Sequence, residues 1–390
     1  MSDHKSLQGR LAGSSAVVQV EFNRFLSAVD ELIRPPNTNY FLAPGFIDVQ
    51  VNGFAGVDYN NPLSSAESIA KSVRTMFSTG VTRFFPTIIT GSEERMVNSL
   101  RNLARAKAEF ASSKLPEAQA MEAFHVEGPH ISPEDGPRGA HPREHVRAPD
   151  FAEFQRWQEA AQGNIRLVTV SPEWDQTPHY IENLVRAGVV ASVGHTKATS
   201  EQIRAAVAAG ATMSTHLGNA AHPVLPKTNN YIWEQIAEER LSAGFIVDRI
   251  HIPEAFFRAA IRAKGIERSI LVTDAVMPAM CTPGPYRLGQ VDVELRADGS
   301  VMMPGTSRLA GSALRMDYAI GYAAWMGRIS LREAITMATT NPARVARIAG
   351  RQRGLTPGEK ADLIRFQWDE NASRLTIAQT VVSGEMVYGI

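Results

Sequence analysis

The sequence predicts an α/β fold, a (β/α)8 barrel of parallel strands surrounded by helices, with a small β-sandwich domain beside it. Strand-like and helix-like segments alternate over roughly 300 residues, which is the pattern of such a barrel. The strand-like segments end in Gly, Pro or polar residues, and 44% of the 390 residues are apolar, enough for a large core. A doubly wound open sheet is the alternative, but no Gly-x-Gly-x-x-Gly motif follows an early strand.

The barrel prediction depends on eight segments with the apolar character of buried strands. In the first of them apolar and polar residues alternate, so Gln50 and Asn52 point to the same side. The predicted strands are 46–52, 81–89, 123–127, 165–170, 189–193, 211–216, 241–248 and 269–274. The predicted helices between them, many of which stop at Gly or before Pro, are 64–79, 93–114, 151–162, 180–187, 200–209 and 253–264.

The two ends of the chain do not follow this alternation. Residues 17–22 have strand character, and 25–33 are compatible with a helix. The tail from 354 to 387 is strand-like again and should pair with the N-terminal segment. We therefore expect the chain to divide into a barrel domain, 44–350, and a small β domain built from 1–43 and 351–390.

The segment that follows the last predicted barrel strand interrupts the strand and helix rhythm. Residues 286–303 predict a β-hairpin with its turn at 297–299, an Ala-Asp-Gly sequence. Two further helices are predicted at 316–326 and 331–340. The hairpin is therefore expected to be an excursion from the barrel.

Charge and composition exclude several classes of function. Forty Lys and Arg residues balance forty Asp and Glu residues, so no basic surface for nucleic acid is indicated. No stretch approaches 18 apolar residues, and the N-terminus lacks an apolar signal segment, which argues against membrane insertion and secretion. The single cysteine, Cys281, excludes an internal disulfide and suits a reducing compartment. We therefore expect a cytoplasmic protein that acts on a small molecule.

Four polar side chains stand at the ends of predicted parallel strands: Glu127, His195, His216 and Asp274. In a barrel these ends meet at one mouth, where active sites lie. Two His and one carboxylate form a catalytic zinc set that leaves a coordination position open for water. Asp274 follows a buried apolar run, where a carboxylate is costly unless it binds a metal or acts as a base. This pattern makes a hydrolytic metal site plausible.

Each of these residues also has an ordinary structural explanation. A single His at a strand end is more often a hydrogen-bonded structural residue than a ligand, and an Asp there can cap the next helix. The shared position of all four favours a site over four unrelated explanations. His130, which lies just beyond the strand that carries Glu127, is expected in a solvent-exposed loop.

Eight short motifs follow one another from residue 43 towards the end of the chain. They are Ala-Pro-Gly-Phe-Ile-Asp-Val-Gln-Val-Asn-Gly at 43–53, His-Val-Glu-Gly-Pro at 125–129, Gly-Ala-His-Pro at 139–142, Gly-His-Thr at 194–196, Thr-His-Leu-Gly-Asn-Ala at 215–220, Val-Thr-Asp-Ala at 272–275, Leu-Ala-Gly-Ser at 309–312 and Gly-Glu-Lys-Ala-Asp-Leu at 358–363. Together they resemble the N-acetylglucosamine-6-phosphate deacetylases of the amidohydrolase superfamily.

The resemblance implies a TIM barrel with a small β-sandwich, a homodimer, and metal-dependent deacetylation of an amino sugar phosphate in amino sugar catabolism. The expected reaction converts N-acetylglucosamine-6-phosphate to glucosamine-6-phosphate and acetate. By position, Glu127, His195 and His216 would hold one divalent metal ion; Zn²⁺ is favoured, with Fe²⁺, Co²⁺ and Mn²⁺ left open. Asp274 would be the general base and then the general acid, and His141 would polarise the acetyl carbonyl.

The first strand departs from many amidohydrolases, which carry His-x-His there and bind a second metal. This chain has Gln50-Val51-Asn52 instead, and neutral amides are poor ligands for Zn²⁺. The resemblance is therefore to the branch of the family with a single metal.

Substrate contacts are also implied by the resemblance. The matching positions are Ala140, His141, Asn219, Ala220, Asp248, His251, Leu309, Ala310 and Gly311. The family usually has an arginine that reaches the phosphate of the neighbouring subunit's substrate, where this chain has Lys227. Arg249, which stands where the family tends to have Gly, could supply the missing charge or could be a surface residue.

Three other functions stay open. The substrate could be a different N-acyl amino sugar, either an epimer or an unphosphorylated sugar. A D-aminoacylase or cyclic-amide hydrolase would use the same barrel, but the His-x-His motif and bridging lysine typical of those enzymes are not evident. A catalytically silent scaffold is the third, and absence of bound metal from the purified protein would favour it.

Overall fold

The computed structural model describes residues 5–289, 291–306 and 308–389. Four strands begin the chain: β1 (Lys5–Leu11), β2 (Val17–Phe22), β3 (Leu26–Glu31) and β4 (Tyr40–Pro44). The next strands are β5 (Phe46–Val51), β6 (Gly53–Phe54), β7 (Val57–Asp58), β8 (Val81–Ile89), β9 (Phe124–Glu127), β10 (Ile165–Val170), β11 (Val190–Val193), β12 (Met213–Ser214), β13 (Ser242–Phe245) and β14 (Ser269–Leu271). The remaining strands are β15 (Gly284–Leu288), β16 (Val291–Leu295), β17 (Ser300–Met302), β18 (Leu309–Ser312), β19 (Leu363–Asp369), β20 (Arg374–Val382) and β21 (Glu385–Gly389).

The helices alternate with the central strands. They are α1 (Ala66–Phe77), α2 (Glu93–Ser112), α3 (Pro116–Ala120), α4 (Phe151–Ala160), α5 (Thr177–Arg186), α6 (Ser200–Ala208), α7 (Tyr231–Ala237), α8 (Glu254–Lys264), α9 (Met316–Gly327), α10 (Leu331–Met337) and α11 (Thr340–Val345). Within the described part of the chain, none of these helices has the length and apolar character needed to cross a membrane.

Eight parallel strands form the barrel in the order β5, β8, β9, β10, β11, β12, β13 and β14. A parallel bridge between Val51 and Ala275 joins the last strand to the first. The Asp274 N–H also donates to the carbonyl oxygen of Gln50 at 3.0 Å. These contacts close the sheet, so the predicted (β/α)8 barrel is confirmed.

Helix caps fix the loops that leave the barrel strands. Ser65 caps α1 and Asp150 caps α4 through their side chains. At α6 the Thr199 hydroxyl accepts from the Gln202 N–H, and the Gln202 side chain accepts from the Thr199 N–H. The short loop between β11 and α6, which carries His195, is therefore fixed where it enters α6.

The two ends of the chain pair in one seven-stranded sheet, in the order β21, β20, β19, β4, β1, β2, β3. Strands β4 and β19 are antiparallel, with Leu363 opposite Pro44, and they join the N-terminal and C-terminal segments. The core beside this seven-stranded sheet includes Val20, Phe22 and Leu26, all nearly inaccessible to solvent. The small β domain is thus confirmed, whereas its boundaries at residues 44 and 350 stay a prediction.

The helix considered for residues 25–33 was wrong. Most of this segment is strand β3, which pairs antiparallel with β2, and Leu26 lies opposite Phe22. The segment buries Leu26 against the small β domain, and pairing with β2 satisfies its backbone groups. Long-range pairing outweighed the local helical pattern, which is common for short segments.

A buried ion cluster fastens the small β domain to the barrel. The Asp362 carboxylate accepts two hydrogen bonds from Arg83 on β8, at 2.7 and 3.1 Å, and one from Arg351 at 2.5 Å. The side chains of all three residues are at most 2% exposed. Burial alone would raise the pKa of Asp362, but Arg83 and Arg351 hold it well below its usual range. Asp362 is therefore ionised and paired within the interior.

The predicted hairpin is confirmed and belongs to a four-stranded sheet, in the order β15, β16, β17, β18. Its turn at 297–299 connects β16 to β17. A parallel bridge between Ala275 and Ser312 attaches β18 to the chain beyond β14. This attachment brings Leu309, Ala310 and Gly311 to the mouth of the barrel.

Candidate active site

Three of the predicted residues converge at the mouth of the barrel. Glu127 is the last residue of β9, and His195 and His216 lie two residues beyond β11 and β12. Glu127 Oε1 is 3.2 Å from His195 Nε2 and 2.9 Å from His216 Nε2, and the two nitrogen atoms are 3.1 Å apart. All three side chains are at most 5% exposed. The structure therefore brings the predicted metal ligands together at one point.

The donor atoms fit a divalent metal ion. In a tetrahedral zinc site with bonds of about 2.0–2.2 Å, neighbouring donor atoms are roughly 3.3–3.5 Å apart, close to the distances found here. His195 Nδ1 lies 2.9 Å from the carbonyl oxygen of Pro137, to which an Nδ1–H would donate, leaving a lone pair on Nε2. Burial alone would raise the pKa of Glu127, but the neighbouring imidazoles of His195 and His216 hold it well below its usual range. An anionic carboxylate beside two imidazoles is a ligand set for such an ion.

Asp274 stands beside Glu127 and shares its hydrogen-bond donors. Asn52 Nδ2 donates to Asp274 Oδ1 at 2.6 Å, and Gln50 Nε2 donates to Asp274 Oδ1 at 3.1 Å and to Glu127 Oε1 at 2.8 Å. Gln50 and Asn52 thus hold the two carboxylates. Burial raises the pKa of Asp274 to about 6, and the nearby charge of Glu127 acts in the same direction. A carboxyl group with this pKa can accept a proton and return it near neutral pH.

His195, His216 and Asp274 share an uncommon backbone conformation. Their φ angles are +48°, +26° and +50°, in or near the left-handed region that favours Gly. Such a conformation costs about 1–2 kcal/mol for a residue with a side chain. Strain concentrated at three strand ends of one mouth is typical of a functional site rather than of a structural core.

His141 lies next to the three converging residues. Its ring centre is 4.4 Å from that of His195, and one ligand-type atom from each of Glu127, His141 and His195 lies within 4.8 Å of the others. Burial, with a smaller effect of His195, lowers the pKa of His141 to about 3, so its imidazole is neutral. The Arg138 guanidinium donates to the carbonyl oxygen of His141 at 2.5 Å and holds this loop. His141 is placed to act on a group bound beside the metal ligands.

A cavity of about 810 Å³ opens above these residues. Most of the residues predicted to contact substrate line it, namely Ala140, His141, Asn219, Ala220, His251, Leu309, Ala310 and Gly311. Asp248 supports the lining residue His251, whose Nδ1 lies 2.5 Å from Asp248 Oδ2. The cavity has the size of a small-molecule site.

The two predicted cationic contacts lie elsewhere on this chain. The Arg249 guanidinium packs over the rings of Tyr322 and Trp325, at 5.7 and 5.1 Å from their centres. Lys227 belongs to an exposed loop. Neither is among the residues that line the cavity in the part of the chain that the structure describes.

Arg95, Arg308 and Thr90 are among the cavity-lining residues that sequence reasoning missed. Arg95 and Arg308 bring positive charge to the cavity, and Thr90 at the end of β8 contacts His141. Arg95 lies in the first turns of α2 and Arg308 in the excursion, where no sequence signal separates them from surface arginines. Thr90, in contrast, is a polar residue just past a predicted strand, and that signal could have identified it.

The expectation of an exposed loop at His130 was wrong. Its side chain is fully buried, with Nδ1 3.1 Å from the Tyr180 hydroxyl oxygen and Nε2 3.1 Å from Glu153 Oε2. Its partners come from α4 and α5, more than 20 residues later in the chain. Local sequence could not indicate this burial.

Comparison with known proteins agrees with the fold. The amidohydrolase family model matches residues 41–387. The chain is 34% identical to the N-acetylglucosamine-6-phosphate deacetylase of Bos taurus, over 90% of this chain and 84% of that protein. It is 32% identical to the N-acetylgalactosamine-6-phosphate deacetylase of Shewanella sp. (strain ANA-3), again over 90% of this chain and 84% of that protein.

A solved structure is similar over nearly the whole chain. It is a mutant N-acetyl-D-glucosamine-6-phosphate deacetylase from Mycobacterium smegmatis in complex with N-acetyl-D-glucosamine-6-phosphate, with a TM-score of 0.86 and 29% identity. The match covers 98% of this chain and 99% of that chain. The protein described here therefore belongs to the amidohydrolase family and, within it, to the N-acetylglucosamine-6-phosphate deacetylases.

Proposed function

We propose that this protein removes the acetyl group from N-acetylglucosamine-6-phosphate and releases glucosamine-6-phosphate and acetate. As a member of its family it is a hydrolase that acts on an amide bond. The observation that carries the proposal is the convergence of Glu127, His195 and His216 within 3.2 Å, beside Asp274 and His141, at one end of a substrate-sized cavity. The substrate follows from the relatives, one of which was solved with this sugar phosphate.

The proposed roles follow from the chemistry of each residue. A divalent metal ion held by Glu127, His195 and His216 would supply Lewis acidity and lower the pKa of water. Asp274 accepts the proton of the attacking water and later donates it to the departing amine. His141 donates a hydrogen bond to the acetyl oxygen as negative charge develops there.

One metal ion per chain is the first expected result, and Zn²⁺ is the ion we favour. The His216→Asn variant should retain less than a tenth of the wild-type metal content, because two protein ligands hold Zn²⁺ weakly at dilute concentration. Elemental analysis after dialysis gives the metal content. The matched control is His179→Asn, which removes an exposed His on α5 and should leave the metal content unchanged. Equal metal content in the wild type and His216→Asn would contradict the ligand set.

The phosphate contact is proposed to come from Lys227 of the second subunit in a homodimer. Lys227 is exposed and does not line the cavity of its own chain, whereas Arg249 is already packed over Tyr322 and Trp325. A charged hydrogen bond is worth about 1.5–3 kcal/mol, which corresponds to roughly 10- to 150-fold in affinity. The large aromatic Trp233, half-exposed on α7, suits the proposed interface.

Substitution of the two cationic residues tests this contact. Lys227→Ala is expected to raise KM for the phosphorylated sugar at least about 10-fold with little change in kcat, because the lost contact is the same in the ground state and transition state. KM for the unphosphorylated sugar should not change. Arg249→Ala is the comparison variant, and an increase of KM in that variant alone would transfer the contact to Arg249.

The test of the proposed function is acetate release by the zinc-loaded protein from four sugars. They are N-acetylglucosamine-6-phosphate, N-acetylgalactosamine-6-phosphate and the two unphosphorylated sugars. We expect the highest kcat/KM for the first. The galactosamine epimer is the second candidate, since a relative of 32% identity bears that name. Turnover of none of the four would reject the proposed reaction.

We also propose that the protein works in amino sugar catabolism in the cytoplasm. The single cysteine, Cys281, is consistent with a reducing compartment. Measurement of the protein in fractionated cells would test this placement.

A further inference from the structure

Thr90 contacts His141 at the end of β8. Its Oγ1 lies 2.7 Å from His141 Nδ1, and Thr90 is 5% exposed. Among the residues that the structure describes, His141 Nδ1 is the hydrogen-bond partner of this hydroxyl. A short contact between a buried hydroxyl and one ring nitrogen determines how the other nitrogen can be used.

The position of Thr90 is fixed from two sides. Gly128 has φ +85°, and a Cβ atom added to it would lie 2.1 Å from Thr90 Oγ1, so only Gly fits against this hydroxyl. The residue after Thr90 is held as well, because the carbonyl oxygen of Gly91 accepts from Arg147 Nη1 at 3.2 Å. Arg147 is anchored in turn by Glu153 at 3.0 Å. The Thr90 hydroxyl is therefore held against the loop that carries His141.

The chemistry of a neutral imidazole makes this contact important. A neutral imidazole ring carries one hydrogen on nitrogen, and the hydrogen-bond partners of Nδ1 and Nε2 decide which of the two nitrogens carries it. If the Thr90 hydroxyl donates to Nδ1, the hydrogen must be on Nε2, which can then donate to an oxygen atom that gains negative charge. With the hydrogen on Nδ1, Nε2 would present a lone pair and repel that oxygen.

We propose that Thr90 is a positioning residue that donates its hydroxyl hydrogen to His141 Nδ1 and thereby keeps the hydrogen of His141 on Nε2. The inference rests on the proposed function, in which Nε2–H stabilises the oxyanion of the acetyl group. Thr90 acts through His141 and need not touch the substrate.

Two substitutions at position 90 separate the hydroxyl from the shape of the side chain. Thr90→Val keeps the shape and should lower kcat by roughly 10- to 100-fold, the usual effect of losing such a supporting contact. KM and metal content should change less than about threefold, because in the proposal the hydrogen bond from His141 strengthens only as charge develops on the acetyl oxygen, and His141 does not hold the metal. Thr90→Ser, which restores the hydroxyl, should recover most of kcat.

A buried threonine outside the barrel provides the matched control. The Thr380 hydroxyl on β20 donates to the carbonyl oxygen of Phe77 at 2.8 Å. Thr380→Val should lower the melting temperature while leaving kcat unchanged. Wild-type kcat in Thr90→Val would overturn the proposal, and so would a Thr90→Ser variant as slow as Thr90→Val.

The tautomer of His141 can be observed without turnover. Long-range ¹H–¹⁵N spectra of the zinc-loaded protein report which ring nitrogen carries the hydrogen, and the His141→Gln variant identifies the signal. We expect Nε2–H in the wild type and loss of this preference in Thr90→Val. A hydrogen on Nδ1 in the wild type would overturn the proposal. Because no substrate is used, this result is independent of whether the proposed sugar phosphate is turned over.

Discussion

Replacement of Asp274 by Asn is expected to lower kcat for acetate release by roughly 10³-fold, within the range of general acid–base catalysis. An amide can still accept the hydrogen bonds that Asn52 and Gln50 give to Asp274 Oδ1, so the site should keep its shape. It cannot accept the proton of the attacking water or return it to the amine. The measurements are kcat for N-acetylglucosamine-6-phosphate and the zinc content of the same sample.

Zinc content distinguishes loss of the base from loss of the metal. We expect Asp274→Asn to bind one zinc ion per chain, as proposed for the wild type, because Glu127, His195 and His216 are unchanged. Asp298→Asn removes an exposed carboxylate from the turn between β16 and β17 and should leave kcat unaltered. An Asp274→Asn variant with more than a tenth of wild-type turnover would show that another group transfers the proton.

Replacement of Asp362 by Asn is expected to lower the free energy of unfolding by about 3–5 kcal/mol, the usual effect of removing one partner from a buried ion pair. Arg351 would remain buried without its counter-charge, and Arg83 would keep only Glu122, at 3.3 Å, where the small β domain meets the barrel. Urea denaturation followed by circular dichroism measures the change. Glu182→Gln breaks an exposed pair with Arg186 and should change the same free energy by less than about 1 kcal/mol.

The Asp362 cluster also predicts how stability depends on pH. The pKa of Asp362 is lower in the folded protein than in the unfolded chain, where it is about 3.9. Ionised Asp362 therefore stabilises the folded protein fully when the pH is above its pKa in the unfolded chain. This stabilisation is lost as the pH falls below that value, towards the lower pKa of Asp362 in the folded protein. Between about pH 4 and pH 2, the wild type should lose stability more steeply than Asp362→Asn. Equal slopes would show that Asp362 is not the group responsible.

The barrel and the centre of the site could be predicted because both depend on local patterns. Apolar strands that end in Glu127, His195, His216 and Asp274 are visible in the sequence, and the barrel brings such ends to one mouth. The resemblance added His141 and seven further residues that line the cavity. These are features that a strand and its next few residues determine.

The predictions that were wrong or missing depend on contacts between distant segments. Strand β3 forms because β2 is beside it, and His130 is buried because α4 and α5 cover it. The phosphate contacts predicted for Lys227 and Arg249 stay predictions, because they depend on packing and, in the proposed homodimer, on the second subunit. Arg95 enters the cavity from α2, where its sequence context is that of any surface helix.

The left-handed backbone at His195, His216 and Asp274 has a consequence for evolution and engineering. Glycine would occupy each of these positions with less conformational strain, so the most active sequence is not the most stable one there. Selection for heat resistance of the metal-free chain alone would therefore tend to replace these side chains by Gly and so remove the site. Thermostable variants of this protein should be sought under a simultaneous requirement for turnover.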